Sequence, residues 1–142
     1  MTQLTLAHAR AIIAAAHPRA VERGILSASV VVTDAGGAIR AAERSDAAGN
    51  YGIGIATAKA RTALGFGRSS SKLAAVFGDK PAITTGLAGA AGGDFLPLGG
   101  GVVVVDEADV VIGAAAIAGG APDVDHAIIT AAVEAAGLIA RD

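Results

Sequence analysis

The chain has 142 residues, balances 11 basic against 13 acidic side chains for a net charge of −2, and contains no cysteine. That length fits one domain, residues 1–142, large enough to be stable without staples, and the missing cysteines exclude disulfides, iron–sulfur clusters and thiolate catalysis. Scattered basic residues and an aromatic share of 3% argue against nucleic acid as a partner, and the longest apolar run, Val110–Ala118, is about half of what a bilayer span needs.

Charged residues make up only 17% of the chain, against about 25% in an average globular protein. A small monomer so poor in charge would expose much apolar surface, so the composition predicts a homo-oligomer. Met1 is followed by neither a basic nor an apolar leader stretch, which predicts a cytoplasmic protein without a signal peptide.

In chain order, Thr5–Arg23 reads as a helix, with Leu6, Ala9, Ile13, Ala16 and Ala20 on one stripe and Gly24 as its stop. Pro18 inside it removes one backbone hydrogen bond and predicts a kink near His17. Ser27–Thr33 and Ala38–Arg44 read as an antiparallel hairpin around the Asp34–Gly37 turn. A polar loop, Arg44–Asn50, leads to a helix at about Tyr51–Leu64, broken by Gly65 and Gly67, and Ser69–Ser71 caps a short helix running to Phe77. Gly78–Gly101 lacks periodicity and reads as a long loop. Val102–Val105 and Val110–Ala118 form a second hairpin across Asp106–Asp109. Asp123 caps a last helix with Val124, Ile128, Ala131, Ala135 and Leu138 on its stripe. Helix, hairpin, two helices, hairpin, helix is the order of an α+β fold on a largely antiparallel sheet.

Few residues stand out for chemistry. His17 falls roughly 20° from Leu6 on a helical wheel, on the apolar side, so it is either a haem-iron ligand or proton carrier, or a histidine at the core edge bonded to a backbone carbonyl. His126 lies roughly 160° from Ile128 and should face solvent or a neighbouring subunit. Arg44 and Asp46, two apart at a strand end, form either one polar wall or a turn-capping pair. Lys59 borders the Ala56, Ala60 and Ala63 stripe and either snorkels outward, the commoner fate, or binds an anion. Asp123 and Asp125 form a carboxylate pair or, by default at a helix start, stabilise its dipole. The glycine-rich run Gly86–Gly101 lacks the phosphate-loop pattern, and no nucleophile elbow or zinc-binding helix motif is present.

The stretch Arg44–Ala63 carries R-x-D-x-A, ten intervening residues and K-A-x-T-A, met by Arg44, Asp46, Ala48, Lys59, Ala60, Thr62 and Ala63. Together with Val30–Gly37, Phe95–Gly100, Val111–Gly120 and Asp125, it resembles the GlcG/HbpS-like haem-binding family, whose members also occur as the C-terminal domain of PduO-type corrinoid adenosyltransferases. The resemblance spans essentially the whole chain. It implies a profilin-like α+β domain with a five-stranded antiparallel sheet, so that a short fifth strand should come from Gly78–Leu98. It also implies homo-oligomers, often octamers built from dimers, with small-molecule pockets between subunits, and haem as cofactor with His17 as the metal ligand. Ligand contacts then fall to His17, Arg44, Asp46, Lys59 and Asp125. The chain departs from the family at Ala116–Gly119, where a glycine-valine-serine-glycine run is usual, so a serine hydroxyl is missing there.

Three functions follow as expectations. The first is a haem- or tetrapyrrole-binding protein. The second is a cofactor-free enzyme on a small anionic metabolite, with Arg44 and Lys59 holding the carboxylate and Asp46, Lys59 or His17 moving a proton. The third is a non-catalytic accessory subunit.

Overall fold

Thr5 opens the first helix, α1 (Leu6–Glu22), with a reciprocal cap: its Oγ1 accepts from the His8 amide at 3.1 Å, and His8 Nδ1 accepts from the Thr5 amide at 3.2 Å. His8 here fills the place that glutamate takes in the usual capping box. The computed structural model describes residues 3–142. Ala9, Ile12, Ile13, Ala16 and Ala20 are buried, while Leu6, expected on the same stripe, is exposed. The helix runs unbroken past Pro18. Ala14, whose carbonyl loses its partner to the proline ring, lies on the exposed side, where water can satisfy it.

The first hairpin pairs β1 (Ser29–Asp34) with β2 (Ile39–Arg44), and the Asp34 carboxylate accepts from the amides of Gly36 and Ala38 at 2.9 and 3.0 Å to hold the turn. Helix α2 (Gly52–Phe66) ends on Gly67 in the left-handed region, φ 69°. In α3 (Ser70–Phe77), Ser69 caps the first turn by accepting from the Lys72 amide at 3.1 Å.

The Gly78–Gly101 segment is not a loop carrying a fifth strand. It folds into α4 (Pro81–Ala90), started by a proline at its first turn, with Thr84 and Thr85 hydroxyls bonded back to the carbonyls of Lys80 and Pro81. None of its residues is buried, so it has no apolar stripe for a sequence pattern to show. The second hairpin, β3 (Gly101–Val105) and β4 (Val111–Ala118), is as expected. Helix α5 (Pro122–Ala135) starts from Ala121, not Asp123: no side chain caps it, and Pro122 takes the first helical position. The fifth strand, β5 (Ile139–Arg141), follows the turn at Gly137 and pairs with β3.

The five strands form one antiparallel sheet in the order β2-β1-β4-β3-β5. Strand alternation sends Val30, Val32, Val102, Val104 and Ile117 to one face, where they pack with Ile12, Ile13, Ile128 and Ile129 of α1 and α5. Val31, Ala114, Ala116 and Val103 turn to the other face, under Ala56, Ala60 and Ala63 of α2. Small side chains on both sides bring α2 close to the sheet. At Gly101 a Cβ would stand 2.5 Å from the Lys59 carbonyl, which leaves glycine as the residue that fits. Phe66, Phe77 and Phe95 join the ends of α2 and α3 to the segment before β3, with ring centroids 5.6–5.8 Å apart. Among the described residues no helix is long and apolar enough to cross a membrane.

Candidate functional site

The α1 face and the α2 face of the sheet each carry some of the residues singled out above, and they differ in how open they are. On the α1 side, β2 extends beyond the cover of the helices. Glu43 pairs in register with Val30 and Ala41 with Val32, so both point toward α1. Between them and the helix lies an open groove of about 420 Å³, walled by Leu6, Ile13, Ala14, Ala41 and Ala42, with Arg10 and Glu43 as its charged groups.

His17 sits one helical turn beyond Ile13 and Ala14, outside the groove's lining but against its Glu43. Its side chain is 20% exposed, and Nε2 lies 3.3 Å from Glu43 Oε1. The alignment of that contact does not make a hydrogen bond, so Nε2 is a buried nitrogen with no hydrogen bond among the described residues. It is not bonded to a backbone carbonyl. Arg10 and Glu43, which complete the groove, carry no sequence signal of their own: only the packing of an edge strand against α1 brings them together.

On the other face, Lys59 does not snorkel. It is 2% exposed, and its Nζ donates to Asp125 Oδ2 and to the Ile117 carbonyl, each at 3.2 Å. Asp125, 0% exposed, also accepts the Gly120 amide at Oδ1, at 2.9 Å. The pair thus ties α2, the end of β4 and the first turn of α5 together. Loss of water lowers the Lys59 ammonium below its ordinary value, an effect that the charge and hydrogen bond of Asp125 offset only in part.

Arg44 and Asp46 do not form an ion pair. Arg44 Nη1 donates to the Ala48 carbonyl at 2.9 Å, and Asp46 lies exposed on the following turn. His126 is partly buried, its Nε2 3.7 Å from Asp142 Oδ1. Asp123 is exposed and apart from the Asp125 site. The structure therefore brings together Lys59 with Asp125, and His17 with Glu43 and Arg10, while Arg44 and Asp46 remain outside both groups.

A larger recess, about 550 Å³, lies under the β3–β4 hairpin beside His8, but Asp106 and Glu107 make its rim acidic. Among the described residues no three histidine or carboxylate side chains are grouped to hold a metal ion.

The sequence model of one family, described as haem degrading protein HbpS-like, matches residues 4–134. No curated protein matches the chain. Several solved structures share the fold. PduOC, solved as a heme complex, superposes with a TM-score of 0.87 at 24% identity, over 99% of this chain and 100% of that one. Protein ORFY of Klebsiella pneumoniae gives a TM-score of 0.85 at 25% identity, over 96% and 93%. HbpS gives 0.79 at 27% identity, over 94% and 90%.

Proposed function

The chain belongs to the haem degrading protein HbpS-like family, and from that premise we propose that it binds haem or a related tetrapyrrole in the α1–β2 groove, between copies of the chain in a homo-oligomer. The observation that carries this reading is the Nε2 of His17, which makes no hydrogen bond among the described residues and lies against Glu43 of an apolar-walled groove. The heme complex of PduOC, a protein of the same fold, supports it.

The residues present fit the group. Haem would supply an iron that takes a nitrogen ligand, and two propionates on an apolar ring. His17 would hold the iron through Nε2, and Arg10 would pair with a propionate. Leu6, Ile13 and Ala14 line the wall. Glu43, 3.3 Å from that nitrogen, would have to move aside, and its side chain is 64% exposed. The acidic recess beside His8 suits a propionate-bearing ligand less well, because Asp106 and Glu107 would repel it.

A groove open along one side covers only one face of a flat ligand. A second subunit would supply the other wall and cover Leu6 and Val21, which α1 leaves exposed at 43% and 58%. The enzymatic alternative is less well supported, since Lys59 is sequestered with Asp125 while Asp46 lies exposed and apart from both.

Titrating the protein with hemin tests the proposal. A red-shifted Soret band that saturates with wild type and is lost in His17→Ala is the expected result. No saturable shift, or one that His17→Ala leaves unchanged, would remove it.

A further inference from the structure

The α2 face of the sheet holds a second set of polar groups that neither the core nor the groove uses. Helix α2 starts after Tyr51, whose side chain makes no capping bond. The amides of Ile53 and Gly54 find no acceptor among the described residues. Unpaired N–H groups at the start of a 15-residue helix present partial positive charge along its axis.

A different element adds to them. Ser29, at the start of β1, is 0% exposed, and its Oγ has no hydrogen-bond partner. A Cβ placed on Gly52 would stand 2.2 Å from that oxygen. Helical Cβ positions lean toward the N-terminus, so the hydroxyl lies at the rim of the first turn, in space that any side chain at position 52 would fill. Arg44 is the register partner of Ser29 across the β1–β2 pair, and opposed residues share a face. Its Nη1 reaches the Ala48 carbonyl, on the loop that enters α2, and its remaining N–H groups have no partner among the described residues. Gly49 and Gly54 leave open space beside the turn.

We infer that the first turn of α2, with Ser29 and Arg44, is an oxyanion-binding site for the carboxylate or phosphate group of a small molecule. Backbone amides, a hydroxyl and a guanidinium are all donors, and their convergence calls for a ligand that is all acceptor. Of the two acids close by in sequence, Glu43 points to the opposite face of β2, and Asp46, exposed on the same loop, makes no bond to Arg44. The site lies on the face of β2 opposite the His17 groove, so it stands or falls independently of haem.

The test follows the amide resonances of Ile53 and Gly54 in ¹⁵N-labelled protein, titrated with inorganic phosphate and, separately, with acetate, at ionic strength held constant with chloride. Saturable shifts at both amides are expected. Arg44→Ala should weaken binding about tenfold and Ser29→Ala by a smaller factor, each with the rest of the spectrum unchanged. Saturation by phosphate but not acetate assigns the site to a phosphate group, and the reverse assigns it to a carboxylate. Shifts that stay linear with both anions, or binding that is equally strong in Arg44→Ala and wild type, would overturn the inference.

Discussion

Replacing Lys59 by methionine removes a charge from a position 2% exposed and leaves the Asp125 carboxylate, 0% exposed, with the Gly120 amide as its remaining partner. Removing one member of a buried ion pair costs about 3–5 kcal/mol, because the survivor keeps its desolvation penalty without its counter-charge. A 142-residue chain has a total stability of about 7–20 kcal/mol, so the loss is a large fraction of it and lowers Tm by about 10–17 °C. The double variant Lys59→Met with Asp125→Asn keeps an acceptor for Gly120 but carries no charge, and should return to within about 1–2 kcal/mol of wild type. Urea denaturation at fixed protein concentration, with the slope checked for constancy, measures all of these. The reasoning fails if Lys59→Met costs less than about 1 kcal/mol, or if the two substitutions simply add.

The same pair gives a pH dependence. Lys59 is lowered from 10.5 in the folded protein, so between that lowered value and 10.5 the unfolded chain binds the proton more tightly, and this group's contribution to stability rises with pH. It is fully present above 10.5 and lost as pH falls through the folded value, so the stability gap between wild type and Lys59→Met should widen as pH rises toward 10.5; a gap that stays constant or narrows would contradict this. Ala118 is the β4 register partner of Ser29, so Ala118→Ser should offer the orphaned hydroxyl a cross-strand bond and raise stability by about 1 kcal/mol in the same assay; a loss of that size would mean that Ser29 is not the limiting defect. Glu43→Ala clears the approach to His17 Nε2 and should tighten hemin binding about threefold to tenfold, whereas unchanged or weaker binding would show that Glu43 does not compete for that nitrogen.

The strands were the most legible part of this chain because their signal is local. Val30–Val32 and Val102–Val105 are β-branched runs bounded by turn residues, and both hairpins follow from them. β5 was hidden because three residues cannot show alternation, and α4 because a helix with nothing buried has no face to detect. The stripe expected on α5 was set slightly out of phase: the buried side is Asp125, Ile128, Ile129, Ala132 and Val133. A hydrophobic pattern turns an aspartate outward, and what turns Asp125 inward is a lysine 66 residues away. Lys59 was assigned to the border of its helix for the same reason. His17 was legible as a residue at the edge of the apolar side, but Arg10, Glu43 and Ser29 acquire their meaning only from strand pairing and helix packing.

The haem proposal turns on location, and the iron itself reports that. Paramagnetic broadening of ¹⁵N–¹H resonances on adding ferric hemin should centre on Arg10–His17 of α1 and Ala41–Glu43 of β2, and disappear in His17→Ala. Broadening centred on the Lys59–Asp125 side of the sheet, or along the acidic rim at Asp106 and Glu107, would contradict the assignment of the groove.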